Sequence, residues 1–289
     1  MLLQFIINGL ITGLLYSLLA IGFALVYNTT HIFHIAAAGI YVFAAYMFWW
    51  LATTFDLPVF VAAVLSIILT MGLSLAVEIV VYRPLKHNNS SLNMAMIASI
   101  GLMIVIVNFI ALFFGNDTKV IDNHIQNPIM LGELVLTAPQ IWQASISVLF
   151  IVIFLITIII TKWGMQFRAL SDNEALYSSL GYNPASTRTV IFLFSGLFIA
   201  LASCLTVYDV GLAPTIGMNI LISAIVAMII GGSGRFSACI YGGLFLGILQ
   251  SLTVFLFSSN WQNAVTFFVL LVFLFLRPQG IAGIKQRAV

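Results

Sequence analysis

Apolar residues run through this chain in long unbroken stretches separated by short polar breaks. Residues 1–55 contain no Asp, Glu, Lys or Arg, and further charge-free runs cover 57–77, 87–116, 134–161, 189–208, 210–234 and 236–276. A helix crossing a bilayer core needs about 20 apolar residues, because a rise of about 1.5 Å per residue must cover about 30 Å. The first and last runs are long enough for two crossings each and the others for one. The polar breaks place nine spans near 4–27, 35–53, 58–81, 93–114, 140–161, 189–208, 218–231, 238–257 and 262–276. The runs lack the alternation of outer-membrane strands, so helices are expected rather than a barrel. The expected fold is all-α: a single permease-like domain over 1–289, built as a polytopic membrane bundle of about 8–10 transmembrane helices. The opening MLLQFIINGL has no basic flank and reads as the first span rather than a cleaved signal. The range of eight to ten reflects two interruptions, 28–39 and 209–220, either of which can be a loop or a break inside the membrane.

Composition narrows the class. The chain is 62% apolar with 10 Lys and Arg against 8 Asp and Glu, and its mean hydropathy is +1.17. A soluble domain carries roughly 25% charged residues, so a cytosolic enzyme, a nucleic-acid binder and a disordered protein are all excluded. Cys204 and Cys239 lie in separate apolar runs and make neither a disulfide framework nor a metal cluster. If residues 82–92 face the cytoplasm, alternation of spans puts 162–188, 232–237 and 277–289 on the same side, with every basic residue except Lys119. The opposite loops hold Lys119 with Asp56, Asp117, Asp122, Glu133 and Asp209. The positive-inside rule selects this orientation, with a cytoplasmic C-terminus.

The longest inward-facing polar stretch reads KWGMQFRALSDNEALYSSLGYNPASTR over 162–188. Ser171 is positioned to cap a short helix, with Asp172 and Glu174 in a first turn favoured by the helix dipole. Ala175, Leu176 and Leu180 give an apolar face, and Gly181 with Pro184 supplies a stop. Such a helix either rests at the interface or docks another protein. Docking is favoured because the chain has no energy source: Gly231-Gly232-Ser233-Gly234 is followed by Arg235-Phe236, not by the Lys-Ser or Lys-Thr of a phosphate loop. These glycines are expected to form a tight turn, and the chain is expected to hold no cofactor of its own.

In transporters, broken helices expose backbone where it lines a cavity. Candidates for a solute path are therefore His31 to Gly39 and Pro214 to Asn219, with Asn93, Ser99 and Asn108 as polar groups of the fourth span. The plainer role of a lone Asn or Ser is to bond a neighbouring helix. Glu78 is expected to pair with Arg83 or to snorkel to water. Gly9 and Gly13, and Gly243 with Gly247, form two faces suited to close helix packing. Tyr46, Trp49, Trp50 and Trp163 fit interfacial anchoring. An ion-coupled transporter would display an acid or base at the midplane, and an intramembrane enzyme a Ser-His pair, an H-E-x-x-H or paired Asp residues. Only Glu78, near a span end, approaches the first, and nothing supplies the second.

Five segments in order, NGLITGLLYSLLAIGFALVY, YRPLKHNNSSLNMAMIASIGL, FRALSDNEALYSSLGYNP, APTIGMNILISAIVAMIIGGSGRFSACIYGGLFLGILQSL and RPQGI, resemble the LivH-type inner-membrane permeases of ATP-binding-cassette importers. That family includes branched-chain amino acid and urea permeases. The resemblance implies that Glu174, Ala175 and Gly181 occupy the E-A-A…G positions of the loop that seats a coupling helix in the ATPase subunit. Arg168, Asp172, Asn173 and Leu180 complete that candidate site. It also implies ATPase subunits that bind ATP and magnesium, a second, LivM-like permease, an extracytoplasmic solute-binding protein, a lipid bilayer around the chain and no nucleic-acid partner. The implied location is the bacterial inner membrane. Transport would proceed by alternating access, for branched-chain amino acids first and urea or another small amide second. Where the family reads N-F-A-H-G-E after the first span, this chain has His34, Ala37 and Gly39 at the Asn, His and Glu positions. With Asn93, Pro214 and Gly217, these three are the candidate path residues.

Overall fold

The computed structural model describes residues 1–88, 90–121, 129–131, 134–232, 234–277 and 279–282. Asp122, Pro128, Glu133, Ser233, Pro278, Lys285 and Arg287 lie outside the described residues. Helices α1 (Leu2–Thr30), α2 (Ala36–Thr53) and α3 (Val59–Val77) come first, and α3 continues through a π-helical turn (Glu78–Tyr82) into α4 (Arg83–His87). After α5 (Leu92–Phe114) a hairpin of β1 (Ile129–Leu131) and β2 (Leu134–Leu136) precedes α6 (Ala138–Ile160). The rest is α7 (Lys162–Asp172), α8 (Glu174–Ser179), α9 (Pro184–Val210), α10 (Ile216–Gly231), α11 (Ala238–Leu256) and α12 (Gln262–Leu276). Among the described residues eight helices are long and apolar enough to cross a membrane, and Ile216–Gly231 is a shorter apolar helix. The architecture is therefore the polytopic helical bundle expected.

Local chemistry sets the ends. His31 stops α1 in the left-handed region at φ 55°, and its N–H closes on Tyr27 O. Ser91 Oγ accepts from Met94 N at the start of α5, and Thr137 forms a reciprocal capping box with Gln140 at the start of α6. Asn183 caps α9 ahead of Pro184, a residue preorganised for a first helical turn.

Helix α1 is the axis of the bundle. It packs against α11 and α9, with α10 beside them. The two glycine faces meet each other: a Cβ on Gly247 would stand 2.4 Å from Gly13 Cα, and one on Gly243 would stand 2.6 Å from Ser17 N. Backbones this close exclude any side chain, which is how small residues join helices where water supplies no driving force. Hydroxyls then tie one helix to the next. Ser195 Oγ donates to Gly22 O (2.7 Å), Ser203 Oγ to Tyr41 O (2.8 Å), Ser74 Oγ to Phe192 O (2.7 Å) and Ser66 Oγ to Ala44 O (2.8 Å). By contrast α5 and α12 turn Phe109, Leu112, Phe268 and Phe275 outward, the arrangement of helices that face lipid or another membrane subunit.

The ends of the bundle are distinguishable. Gln4 clamps the hairpin by giving and taking hydrogen bonds with Val135 (2.7 and 3.0 Å), and Lys119 and Leu212 exchange backbone bonds between two connections. At the other end Asn28 O accepts from Ser171 Oγ, and Asn28 Oδ1 from Gly234 N. Ile281 and Ala282 donate to Ile230 and Gly231 there, next to the glycine turn expected at 231–234, where Gly232 and Gly234 have positive φ. Trp49 does more than anchor at an interface: its Nε1 donates to Val120 O, and the Lys119 ammonium lies over its ring. Tyr46 is fully buried against Phe114, so it is a packing residue rather than an interfacial one.

Gly247→Val should destabilise the protein by about 3 kcal/mol through overpacking against Gly13. Gly72→Val, at a site with open space around it, should leave the thermal unfolding midpoint in detergent nearly unchanged.

Candidate translocation and coupling sites

Two interruptions of the helical backbone precede helices that cross inside the bundle. One is His31 to Ile35, between α1 and α2. The other is Gly211 to Thr215, which returns from the Lys119–Leu212 bridge into the protein and starts the short α10. The helices that follow them touch at Gly217 of α10 against α2: a Cβ there would fall 2.6 Å from both Ala38 O and Val42 Cγ2. Around this crossing lies a cavity of about 10 Å³, lined by Ala37, Ala38, Tyr41, Ile199, Ile220 and Leu221 with Leu19, Phe23 and Ala224. That volume barely admits one water, so the crossing is a closed constriction with an aliphatic and aromatic lining. Ala37 and Gly217 line it, and Pro214 is buried three residues before Gly217.

The other candidates lie elsewhere. His34 is fully buried, with Nδ1 2.8 Å from the Tyr82 hydroxyl and its ring edge-on to Phe192. Tyr82 is also bonded to Ser99 Oγ (2.9 Å). Ser99 Oγ also accepts from Ala36 N (2.8 Å), capping α2 from a different helix. His34 therefore belongs to a polar string beside the constriction, not to its lining. Gly39 packs on Met103 and Ile106 of α5, where the absent side chain permits close approach. Asn93 is exposed in the first turn of α5, and Asn108 is exposed and satisfied by Ile104 O, so neither lines the crossing.

The segment 162–188 is two helices rather than one. Asn173, in extended conformation, ends α7, and its Oδ1 accepts from Leu176 N to cap α8. Ser171 is therefore not the cap; it lies in α7 and bonds Asn28 O. Asp172 ends α7, and Arg168 Nε donates to Gly164 O. Both line a cleft of about 400 Å³ with Arg235 and Phe236. Glu174 opens α8 and pairs with Lys86 of α4. Ala175, Leu176, Leu180 and Tyr182 are exposed, and Gly181 has φ 87° with open space around it. The helix is held from below by Tyr177, whose hydroxyl is 2.8 Å from Thr187 Oγ1 and whose ring stacks on Tyr182.

Glu78 is 1% exposed and pairs with Arg188, Nε to Oε1 3.2 Å, rather than with Arg83. Arg83 instead donates to Thr189 Oγ1. Glu78 continues the buried face of α3, on which Ala62, Ser66, Thr70 and Ser74 lie four residues apart, and Tyr82 follows four residues later at the end of the π-helical turn. Lys86, Arg188 and Tyr82 are missing from the residues the sequence singled out. Their partners are 110, 88 or 48 residues away in the chain, and no local spacing signals such pairs.

Residues 5–274 match the family model described as branched-chain amino acid transport system / permease component. This chain belongs to that family. It is 28% identical to the high-affinity branched-chain amino acid transport system permease protein BraD of Pseudomonas aeruginosa, over 97% of this chain and 95% of that one. Identity to the LivH permease protein of the Escherichia coli high-affinity branched-chain amino acid transport system is 27%, with the same coverage. The fold is also similar to PsaBC from Streptococcus pneumoniae, solved in complex with Fab, with a TM-score of 0.51 and 12% identity over 94% of this chain and 91% of that one. The family consists of transport subunits of ATP-binding-cassette importers, which work with ATPase and solute-binding components.

Arg188→Met should cost about 3–5 kcal/mol by leaving Glu78 charged and unpaired in the bundle, whereas Arg188→Met with Glu78→Leu should recover most of that loss. Thermal unfolding of the purified single and double variants measures both.

Proposed function

We propose that this chain is the membrane-spanning permease subunit of an importer for branched-chain amino acids, opening and closing the crossing of α2 and α10 by alternating access. The observation that carries the reading is the constriction itself. The first turns of α2 and α10, each following a break in the backbone, meet at Ala38 and Gly217, and the groups around them are Ala, Leu, Ile, Phe and Tyr. Such a lining suits an aliphatic side chain better than urea or another small amide, whose polar edges would be left without partners. The pairing of Glu78 with Arg188 also argues against an ion-coupled mechanism, since a carboxylate so engaged is not free to carry a proton.

In this reading the end of the bundle bearing Arg83, Lys86, Lys162, Arg168, Arg188, Arg235 and Arg277 is cytoplasmic, in accord with the positive-inside rule. The chain lies in the inner (cytoplasmic) membrane with its C-terminus on that side. Helix α8 is the coupling helix, offering Leu176, Leu180 and Tyr182 to a groove of the ATPase subunit, while Gly181 lets the chain turn away beneath it. The chain binds no ATP; its ATPase partners supply that site with magnesium. A second, LivM-like permease completes the membrane part against the outward-facing helices, and the solute-binding protein docks at the hairpin end.

Gly217→Val should lower leucine uptake by about tenfold or more, because the new side chain must displace Ala38 O from the crossing, while Gly101→Val, with nothing near its Cβ, should stay within about twofold of wild type. Replacing Glu174 and Gly181 together should abolish ATP-driven uptake without lowering the amount of folded membrane protein. Urea uptake with no leucine uptake would overturn the substrate assignment, and unchanged uptake in the double variant would overturn the coupling role of α8.

A further inference from the structure

Helix α8 and the constriction are connected by an unbroken series of contacts that runs through the π-helical turn of α3. Glu174, the first residue of α8, is paired with Lys86. Lys86 lies four residues beyond Tyr82 on the same continuous rod, Val59–His87. Tyr82 is hydrogen-bonded to both Ser99 Oγ and His34 Nδ1, and Ser99 Oγ in turn receives the Ala36 N–H that begins α2. Two residues further, Ala38 O faces Gly217. The first and last members differ in setting. Lys86 and Glu174 are 45% and 39% exposed, whereas Tyr82, Ser99, His34 and Ala36 are fully buried.

We propose that this series is the mechanical connection between ATPase and path, with Lys86, Tyr82 and Ser99 as positioning residues that move the start of α2 when α8 moves. The proposal rests on the reading of α8 as the coupling helix. Its physical basis is the way α2 begins. Ile35 offers no side-chain cap, so the Ala36 N–H depends on Ser99 of α5, and Ser99 depends on Tyr82. A shift of the α3–α4 rod therefore cannot occur without either carrying the first turn of α2 along or breaking buried hydrogen bonds, and unmade buried bonds cost more than exposed ones. The π-helical turn gives the rod a place to yield, since such turns are points of altered registry within a helix. His34 Nε2 has no hydrogen-bond partner among the described residues, which leaves that ring free to exchange partners when the string rearranges.

The test uses the complete importer, with its ATPase, second permease and binding protein, reconstituted in proteoliposomes, and reads leucine taken up per phosphate released. Tyr82→Phe removes one hydroxyl and Ser99→Ala one cap. Each should lower that ratio about tenfold while ATP hydrolysis stays within about twofold, the signature of lost transmission rather than lost folding. Ser99→Thr, which keeps the hydroxyl, should restore the ratio. Lys86→Met, at a half-exposed site that does not threaten folding, should also lower it, and Lys86→Arg should restore it. A wild-type ratio in Lys86→Met and Tyr82→Phe overturns the connection, as does a fall of uptake and hydrolysis in step with protein recovered. If the wild-type assembly hydrolyses ATP but takes up urea and no leucine, the substrate reading has failed and the same ratio is measured with urea. If it neither hydrolyses ATP nor transports, the importer reading has failed and the connection falls with it.

Discussion

A hydrocarbon interior offers no water to an unpaired backbone group, and this constraint shapes the protein at the two places where its helices are interrupted. At His31 to Ile35 the chain turns through a left-handed residue, and the next helix starts with a donor that only Ser99, 63 residues away, accepts. At Gly211 to Thr215 the chain is tied by the Lys119–Leu212 bridge before it re-enters the bundle. Within the breaks Ile32, His34, Leu212 and Pro214 are covered by protein, while His31 and Thr215 are exposed.

The enclosing helices come close because their contact faces are almost without side chains. Gly9, Gly13, Gly243 and Gly247 let α1 and α11 approach to backbone contact, and serines of α3 and α9 donate to carbonyls of the helices they touch. Each such bond contributes about 0.6–2 kcal/mol in a membrane protein. Their importance lies as much in registry as in strength: Ser195 on Gly22 and Ser203 on Tyr41 fix how α1 and α2 sit against α9, and so where Ala38 meets Gly217.

The two ion pairs serve different ends. Glu78 and Arg188 are buried, and each is costly without the other, so the pair locks α3 to α9. Lys86 and Glu174 remain partly in solvent, where such a pair is worth about 0–1 kcal/mol. That is too little to hold the fold, but it is suited to a joint between α4 and α8 that changes partners when another subunit engages.

Much of the fold was legible in the linear sequence, because membrane spans are decided by the length of apolar runs and by the sidedness of Lys and Arg, both local properties. The spans, the two breaks, which the structure narrows from 28–39 to 31–35 and from 209–220 to 211–215, and the small-residue faces of the first and penultimate long helices could all be read that way, and so could a glycine turn around Gly232 and Gly234. The residues of 162–188 stood out by composition, although the cap fell to Asn173 rather than Ser171 because Asn173 left the helix and Ser171 had Asn28 O to bond. What only the tertiary structure decided was which distant groups meet. Glu78, on the inward face of α3, met Arg188 of α9 while Arg83 turned to Thr189; His34 went to Tyr82, and Gly39 and Asn93 turned to α5 and to the surface. Those outcomes depend on helix rotation and depth across gaps of 48 to 110 residues, which a periodicity of 3.6 residues within one helix does not encode.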